Sequence, residues 1–200
     1  AASPAERFDH NGGDYNYKQF SQELRLASPA GQTIEWLAGL YYFRSTNVVD
    51  FRAGGRLLGP ALPLVVAVIE TDFRSKSYAG FGSVTWNASD ALRLRVGGRL
   101  TRDDLRARRV AYDLPGSLPG SSAIIGSIAG DTTEEGATTN FSWKVTGEYD
   151  VTPGVMVYAN AARGYKGPGL ASSGILMPGI DPIIRPEKVW AYDLGIKASF

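Results

Sequence analysis

The sequence predicts an antiparallel all-β fold whose strands cross a membrane. Two observations carry that expectation. Segments of nine or more residues alternate between apolar and polar side chains, and the connections between them are in turn very short and very long. A period of two is the signature of a strand with two unlike faces. Strands of about ten residues exceed the usual length in soluble sheets and match what a tilted strand needs to span a bilayer.

Seven strands are expected in chain order. Residues 17–27 come first, with an alternation blurred by small residues. Residues 33–43 follow, with Ile34, Trp36, Ala38, Leu40 and Tyr42 in one row. Residues 72–87 are a second blurred segment, rich in Phe, Tyr, Val and Thr. In residues 92–101 (LRLRVGGRLT), Leu92, Leu94, Val96, Gly98 and Leu100 oppose Arg93, Arg95, Gly97, Arg99 and Thr101. In residues 141–149 (FSWKVTGEY), Phe141, Trp143, Val145, Gly147 and Tyr149 oppose Ser142, Lys144, Thr146 and Glu148. Residues 155–165 form a third blurred segment. The last strand, 190–200, sets Trp190, Tyr192, Leu194, Ile196, Ala198 and Phe200 against Asp193, Gly195, Lys197 and Ser199.

Three connections, 28–32 (SPAGQ), 87–90 (NASD) and 150–154 (DVTPG), consist mainly of residues that supply turn geometry. Three others, 45–69, 107–138 and 166–187, lack sustained periodicity and hold most of the prolines. Long structureless loops count against a compact soluble domain, but a membrane barrel places long loops at one rim and tight turns at the other. An odd number of strands places the two ends of the chain on opposite rims.

Composition permits this fold and narrows the function. The chain has 200 residues, 44% apolar residues and 24 glycines, which suits one ordered domain. Mean hydropathy is −0.14, which disfavours helical spans but not a barrel, in which only every second strand residue meets lipid. The apolar stretch 57–69 contains Pro60 and Pro63 and is too short for a spanning helix; as a loop it is unusually apolar. No cysteine is present, so neither disulfides nor thiolate metal sites are expected. A net charge of +1 gives no broad basic surface for nucleic acid, and no nucleic-acid partner is expected. Residues 1–13 lack a basic segment followed by an apolar core, so an exported protein would carry its signal upstream.

Catalysis and cofactor binding find little support. His10 is the only histidine and lies in a polar leader, so a Ser/His/Asp triad or a histidine metal site would rest on that residue alone. Asp103 with Asp104, and Glu134 with Glu135, are neighbours that point to opposite faces if extended and so cannot converge on one bond. The run Gly164 to Gly169 lacks the spacing and following helix of a phosphate loop. No cofactor or metal is expected.

Several segments carry a family resemblance. Residues 77–104 (SYAGFGSVTWNASDALRLRVGGRLTRDD) resemble a hairpin of TonB-dependent outer-membrane receptors, in which a strand ends at a short Asn/Asp turn and returns to a Gly-Gly-Arg segment. Residues 148–169 are similar in their Tyr158 followed by Gly164, Tyr165 and Lys166. Residues 184–200 resemble the family's Pro-Glu-x-x-x-x-Tyr-Asp-x-Gly-x-Lys signature from Pro186 to Lys197, and residues 20–28 and 36–43 are similar to consecutive barrel strands.

The resemblance implies an internal portion of a barrel of about 22 strands, with short periplasmic turns and long extracellular loops. It further implies a plug domain, an energy-coupling segment and remaining strands, expected to lie outside residues 1–200. It implies active uptake of a scarce solute, most often a ferric siderophore, across the bacterial outer membrane. The implied partners are outer-membrane lipid, lipopolysaccharide, the solute, and the inner-membrane TonB complex acting through the plug. A passive pore or structural barrel without energy coupling is the alternative, and a rim-based hydrolase the third reading.

Within that frame, Trp36, Tyr41, Tyr42, Phe43, Trp86, Trp143, Tyr149, Tyr158, Tyr165, Trp190 and Tyr192 are expected to form interfacial girdles rather than sugar-stacking platforms. The basic run from Arg99 to Arg109 is expected to be a solvated rim with internal ion pairs, with contact to an anionic ligand or lipopolysaccharide phosphate as the sharper reading. The ligand-contact candidates are Arg52 and Arg56 in the first long loop, Arg102 and Arg106 at the rim, and Tyr165 with Lys166 at the third loop. Cationic and hydrogen-bonding groups of this kind suit a carboxylate-bearing or catecholate iron chelate.

Overall fold

A computed structural model describes residues 10–59, 61–125, 129–170 and 183–199. The elements are β1 (His10–Ala27), β2 (Ile34–Gly55), β3 (Val65–Asn87), β4 (Leu92–Asp113), α1 (Ser121–Ile124), β5 (Gly130–Thr152), β6 (Val155–Lys166), β7 (Gly169–Leu170), β8 (Ile183–Ile184) and β9 (Glu187–Ala198). Seven of the strands form one sheet in the order β1-β2-β3-β4-β5-β6-β9, and β7 pairs with β8 in a second, two-stranded sheet. Each neighbouring pair in the large sheet is antiparallel. The sheet is not closed: β1 and β9 are its edges among the described residues.

All seven expected strands are present, but several are much longer than the hydropathy pattern suggests. The ladder between β2 and β3 runs from Ile34↔Trp86 to Gly55↔Val65, and that between β4 and β5 from Leu92↔Tyr149 to Ala111↔Gly130. The expected loop 45–69 is therefore strand for most of its length, and 107–138 for half of it. Their alternation persists in a different currency, because Arg102, Asp104, Arg106 and Arg108 occupy one face where apolar residues stood lower down. Without lipid against the sheet, charge and size replace hydropathy as the alternating property. His10, expected in an irregular leader, opens β1 opposite Gly54.

The apolar segment 57–69 is likewise corrected. Its second part, Val65 to Ile69, is the start of β3, and Val65, Val66 and Ala67 have no exposed surface. The segment after β4 covers it. Leu114 donates its N–H to the Val66 carbonyl at 3.0 Å, and Leu118 donates to the Leu64 carbonyl at 2.7 Å. Burial of a valine side chain stabilises by roughly 1.5 kcal/mol or more, which accounts for apolar residues in an otherwise polar connection.

The short turns lie at the opposite end of the strands. Trp36 donates its N–H to Ser28 Oγ at 3.0 Å, and Asn87 Nδ2 donates to the Gln32 carbonyl at 2.6 Å, tying neighbouring turns together. Gly154 closes the β5–β6 turn with φ of 94°, in the left-handed region that favours glycine.

The two faces of the sheet are inverted relative to a soluble sheet. Across the strands, Trp36, Val84, Val96 and Val145 form one row, and Leu40, Gly80, Leu100 and Phe141 another. Trp36, Leu40, Val84, Val96, Leu100, Phe141 and Val145 are all exposed, although they are large and apolar. The buried polar residues Ser45, Thr101, Arg109, Asn140 and Thr146 lie on the other face. A sheet that exposes its greasy face and encloses its polar one is built for lipid outside and water inside. No helix among the described residues is long and apolar enough to cross a membrane.

Candidate functional site

The polar face carries the candidate site, and its groups are arranged from the short-turn rim to the long-loop rim. At the lower end Arg93, on β4, bridges to β5. Its Nε–H donates to Glu148 Oε2 at 3.2 Å, and its two terminal nitrogens donate to Asp150 at 2.7 and 3.1 Å. Higher up, Thr146 Oγ1 donates to Asn160 Oδ1 at 2.7 Å, joining β5 to β6. These bonds satisfy groups that a closed barrel would shield from bulk solvent.

Midway, the Arg99 guanidinium lies 4.9 Å from the Tyr41 ring centre and 5.5 Å from that of Phe81. Its Nε–H donates to Thr101 Oγ1 at 3.1 Å. The nest depends on Gly39, because a Cβ there would run into the Phe81 ring and the Leu24 carbonyl. With hydrogen in that place the phenyl ring can occupy the space above Gly39 on β2. A guanidinium held by two rings loses conformational freedom, so the nest holds a cation at a fixed place on the polar wall.

At the long-loop rim, the Tyr165 hydroxyl donates to Asp103 Oδ2 at 3.1 Å. Burial is the main cause that raises the Tyr165 pKa, and the Asp103 bond adds to it, so the phenol stays protonated. Nearby, Asn140 donates from Nδ2 to Ser142 Oγ at 3.0 Å, while its buried Oδ1 has no hydrogen-bond partner. Above them Asp113 holds the covering loop. Its carboxylate accepts the backbone N–H groups of Gly120 and Ser122, both at 2.7 Å. Those bonds, led by Ser122, hold the Asp113 pKa below the usual carboxylate range.

The six candidate contact residues are not brought into one pocket. Arg52 is on β2 opposite Val68, 3.8 Å from Asp50. Arg56 follows β2 and is exposed. Arg102 pairs with Asp104 at 3.2 Å and Arg106 with Glu135 at 3.4 Å, both on the side of the sheet that carries the apolar band. Tyr165 turns to Asp103, while Lys166 is exposed and 4.0 Å from Glu187. The ion pairs expected in the basic run are present. Asp103 and Asp104 diverge as expected, one to Tyr165 and the other to Arg102.

The aromatic girdle also needs revision. Trp36, Tyr42, Trp86, Trp143, Tyr149, Trp190 and Tyr192 share the apolar face. Tyr41, Phe43 and Tyr158 are on the polar face by strand parity: Tyr41 takes up Arg99, and Tyr158 lies against Gly195 with Lys197 5.5 Å from its ring. Hydropathy did not separate the groups because consecutive aromatics necessarily face opposite ways. The Arg99 nest and the Asp113 clasp were missed. Gly39 alternating with Tyr41 and Leu37, opposite a phenylalanine, is the signal that would have revealed the nest.

Among the described residues, no group of three or more His, Asp or Glu could hold a metal ion. Comparison with known proteins supplies the remaining observation. The family described as TonB dependent receptor-like, beta-barrel, matches residues 2–200. The solved ferric yersiniabactin uptake receptor FyuA from Yersinia pestis is similar in fold, with a TM-score of 0.73 at 19% identity. The match covers 94% of this chain and 27% of that one, so the chain spans about a quarter of the receptor's length.

Proposed function

Since the chain belongs to the TonB-dependent receptor β-barrel family, matched over residues 2–200, we propose that it forms part of the wall of an outer-membrane receptor for active uptake of a scarce solute. The family is one of outer-membrane proteins of Gram-negative bacteria, and the fold is that of receptor barrels. The observation that carries the reading is the family match together with a sheet that exposes Leu100 and Phe141 and encloses Thr101 and Asn140.

The open edges at β1 and β9 support further strands, because a bilayer offers no partner for unpaired backbone groups. A barrel of about 22 strands around a plug, with the TonB complex acting through the plug, is the assembly proposed. A ferric siderophore is the proposed cargo, supported by the fold neighbour, itself a ferric yersiniabactin uptake receptor. Arg99 on the inner wall and Tyr165 at the rim are the proposed contacts best placed to meet an anionic chelate. Arg56 and Lys166 would contribute through the loops, whereas Arg52, Arg102 and Arg106 lie on the face that carries the apolar band and are not proposed as contacts.

Uptake of radio-iron presented as siderophore chelates tests this in cells that carry or lack the full gene. The proposal expects saturable uptake that collapses on adding a protonophore. Uptake indifferent to the protonophore would contradict it and favour a passive pore.

A further inference from the structure

We infer that Arg95, Lys144 and Arg99 form a cationic ladder on the inner wall, along which a solute of net negative charge crosses the membrane; the inference rests on the uptake reading above and narrows its cargo. Registration places the three in successive rows of the polar face. Arg95 is opposite Thr146, Lys144 is opposite Gly97, and Arg99 is opposite Ser142. Rows of one face follow each other at about 7 Å along a strand, so the ladder covers roughly 14 Å.

The ladder runs behind the apolar band. The other face of the same stretch carries Leu94, Val96 and Leu100 on β4 with Phe141 and Val145 on β5, all of them exposed. Cations at that depth are costly unless they face a wet lumen, and ionisable groups so placed mark the path of a solute. Lipid behind the wall concentrates their field on the lumen side.

Positive charge is left over here. Among the described residues none of the three forms an ion pair; Arg95 donates from Nε to Thr85 Oγ1 at 3.0 Å, and Arg99 is held in its aromatic nest. The carboxylates of this face are engaged or distant. Arg93 takes up Glu148 and Asp150 at the foot of the ladder, and Tyr165 takes up Asp103 above it. Glu35 and Asp193 share the row of Arg95. They stand two and three strands away, which is about 10 and 14 Å at the usual strand spacing.

An anion finds room between the cations. Gly97 and Ser83, directly opposite each other, leave no large side chain between Arg95 and Arg99, and the hydroxyls of Thr85 and Ser142 flank the gap. Evenly spaced sites let an anion touch the next cation before it leaves the last, which is what passage requires. A docked carboxylate would need one cation in fixed geometry, so the regular series favours a mobile anion over a static partner.

The test uses cells carrying the full-length receptor and radio-iron presented as ferric citrate, as a ferric tris-catecholate or as an uncharged ferric trihydroxamate. Surface binding is read with a protonophore present and uptake without it, both per folded barrel as counted by heat-modifiable gel mobility. The expected result is energised uptake of an anionic chelate, whose maximal rate falls about tenfold in Arg95→Gln/Lys144→Gln and about threefold in Lys144→Gln, while surface binding stays within about twofold. Lys76→Gln, on the outer face, should change neither. Uptake of the uncharged chelate alone, an unchanged rate in the double variant, or surface binding lost in step with rate would overturn the ladder and leave the uptake reading intact. Entry of a large antibiotic such as vancomycin into cells with the double variant would also overturn it, by assigning the cations to anchoring the plug. A parent that accumulates none of the chelates would overturn both readings.

Discussion

Arg99 and Tyr41 are joined across two strands that are not neighbours: the guanidinium of β4 reaches over β3 to lie 4.9 Å from a ring on β2. On that face β3 presents Phe81, directly opposite Arg99, and the small Ala79, directly opposite Tyr41. The contact fixes a positive charge on the polar wall.

A double-mutant cycle should therefore detect coupling between the two. Arg99→Ala and Tyr41→Leu, measured by urea unfolding of the folded barrel, are expected to be non-additive by about 0.5–1 kcal/mol. Strict additivity would show that the ring and cation are merely adjacent.

Gly39 should be intolerant of side chains. A Cβ there meets the Phe81 ring, so Gly39→Val is expected to cost on the order of 1–3 kcal/mol through overpacking. Gly80→Ala is the control, since its Cβ would meet only Leu40 Cδ2 at 3.8 Å. Equal losses for the two would remove Gly39 from its assigned role.

The Asp113 clasp should be acid-sensitive. Its folded pKa is depressed, so its contribution to holding the loop is complete above the unfolded value of about 3.9 and is lost as pH falls through the lower folded value. Proteolysis within residues 114–125 should accelerate below about pH 4 in the parent. In Asp113→Ala the loop should be cut readily at neutral pH, with no further acid-dependent step. A parent whose loop is cut at the same rate on both sides of pH 4 would argue against the clasp.

Much of this was legible in the sequence, and the parts that were not share one cause. The strands over residues 33–43, 92–101 and 141–149 were readable because lipid on one side and water on the other impose opposite chemistry at successive positions. Above the membrane that contrast disappears. Arg102, Asp104 and Arg106 alternate with Asp103 and Leu105 without a hydropathy signal, so the extensions of β4 and β5 resembled loops. Val65 to Ile69 misled for the opposite reason, since burial on both faces abolishes alternation. The site was less legible still, because Arg99, Tyr41 and Phe81 meet only once three strands are in register.

Charge on the apolar face should be penalised by depth. Val96→Arg, in the middle of the band, is expected to destabilise the membrane-embedded protein by about 2–4 kcal/mol. Ser142→Arg, on the polar face, should cost far less. Comparable losses in vesicle-based unfolding would mean that the faces are misassigned.

The most direct measurement exploits the absence of cysteine from this chain. Single cysteines at positions 94 to 100 of the membrane-embedded receptor, labelled with an environment-sensitive fluorophore, would be exposed to lipids carrying a quencher on their acyl chains. Labels at Leu94, Val96, Gly98 and Leu100 should be quenched, and those at Arg95, Gly97 and Arg99 spared. Uniform quenching, or none at any position, would contradict a strand with lipid on one face and water on the other.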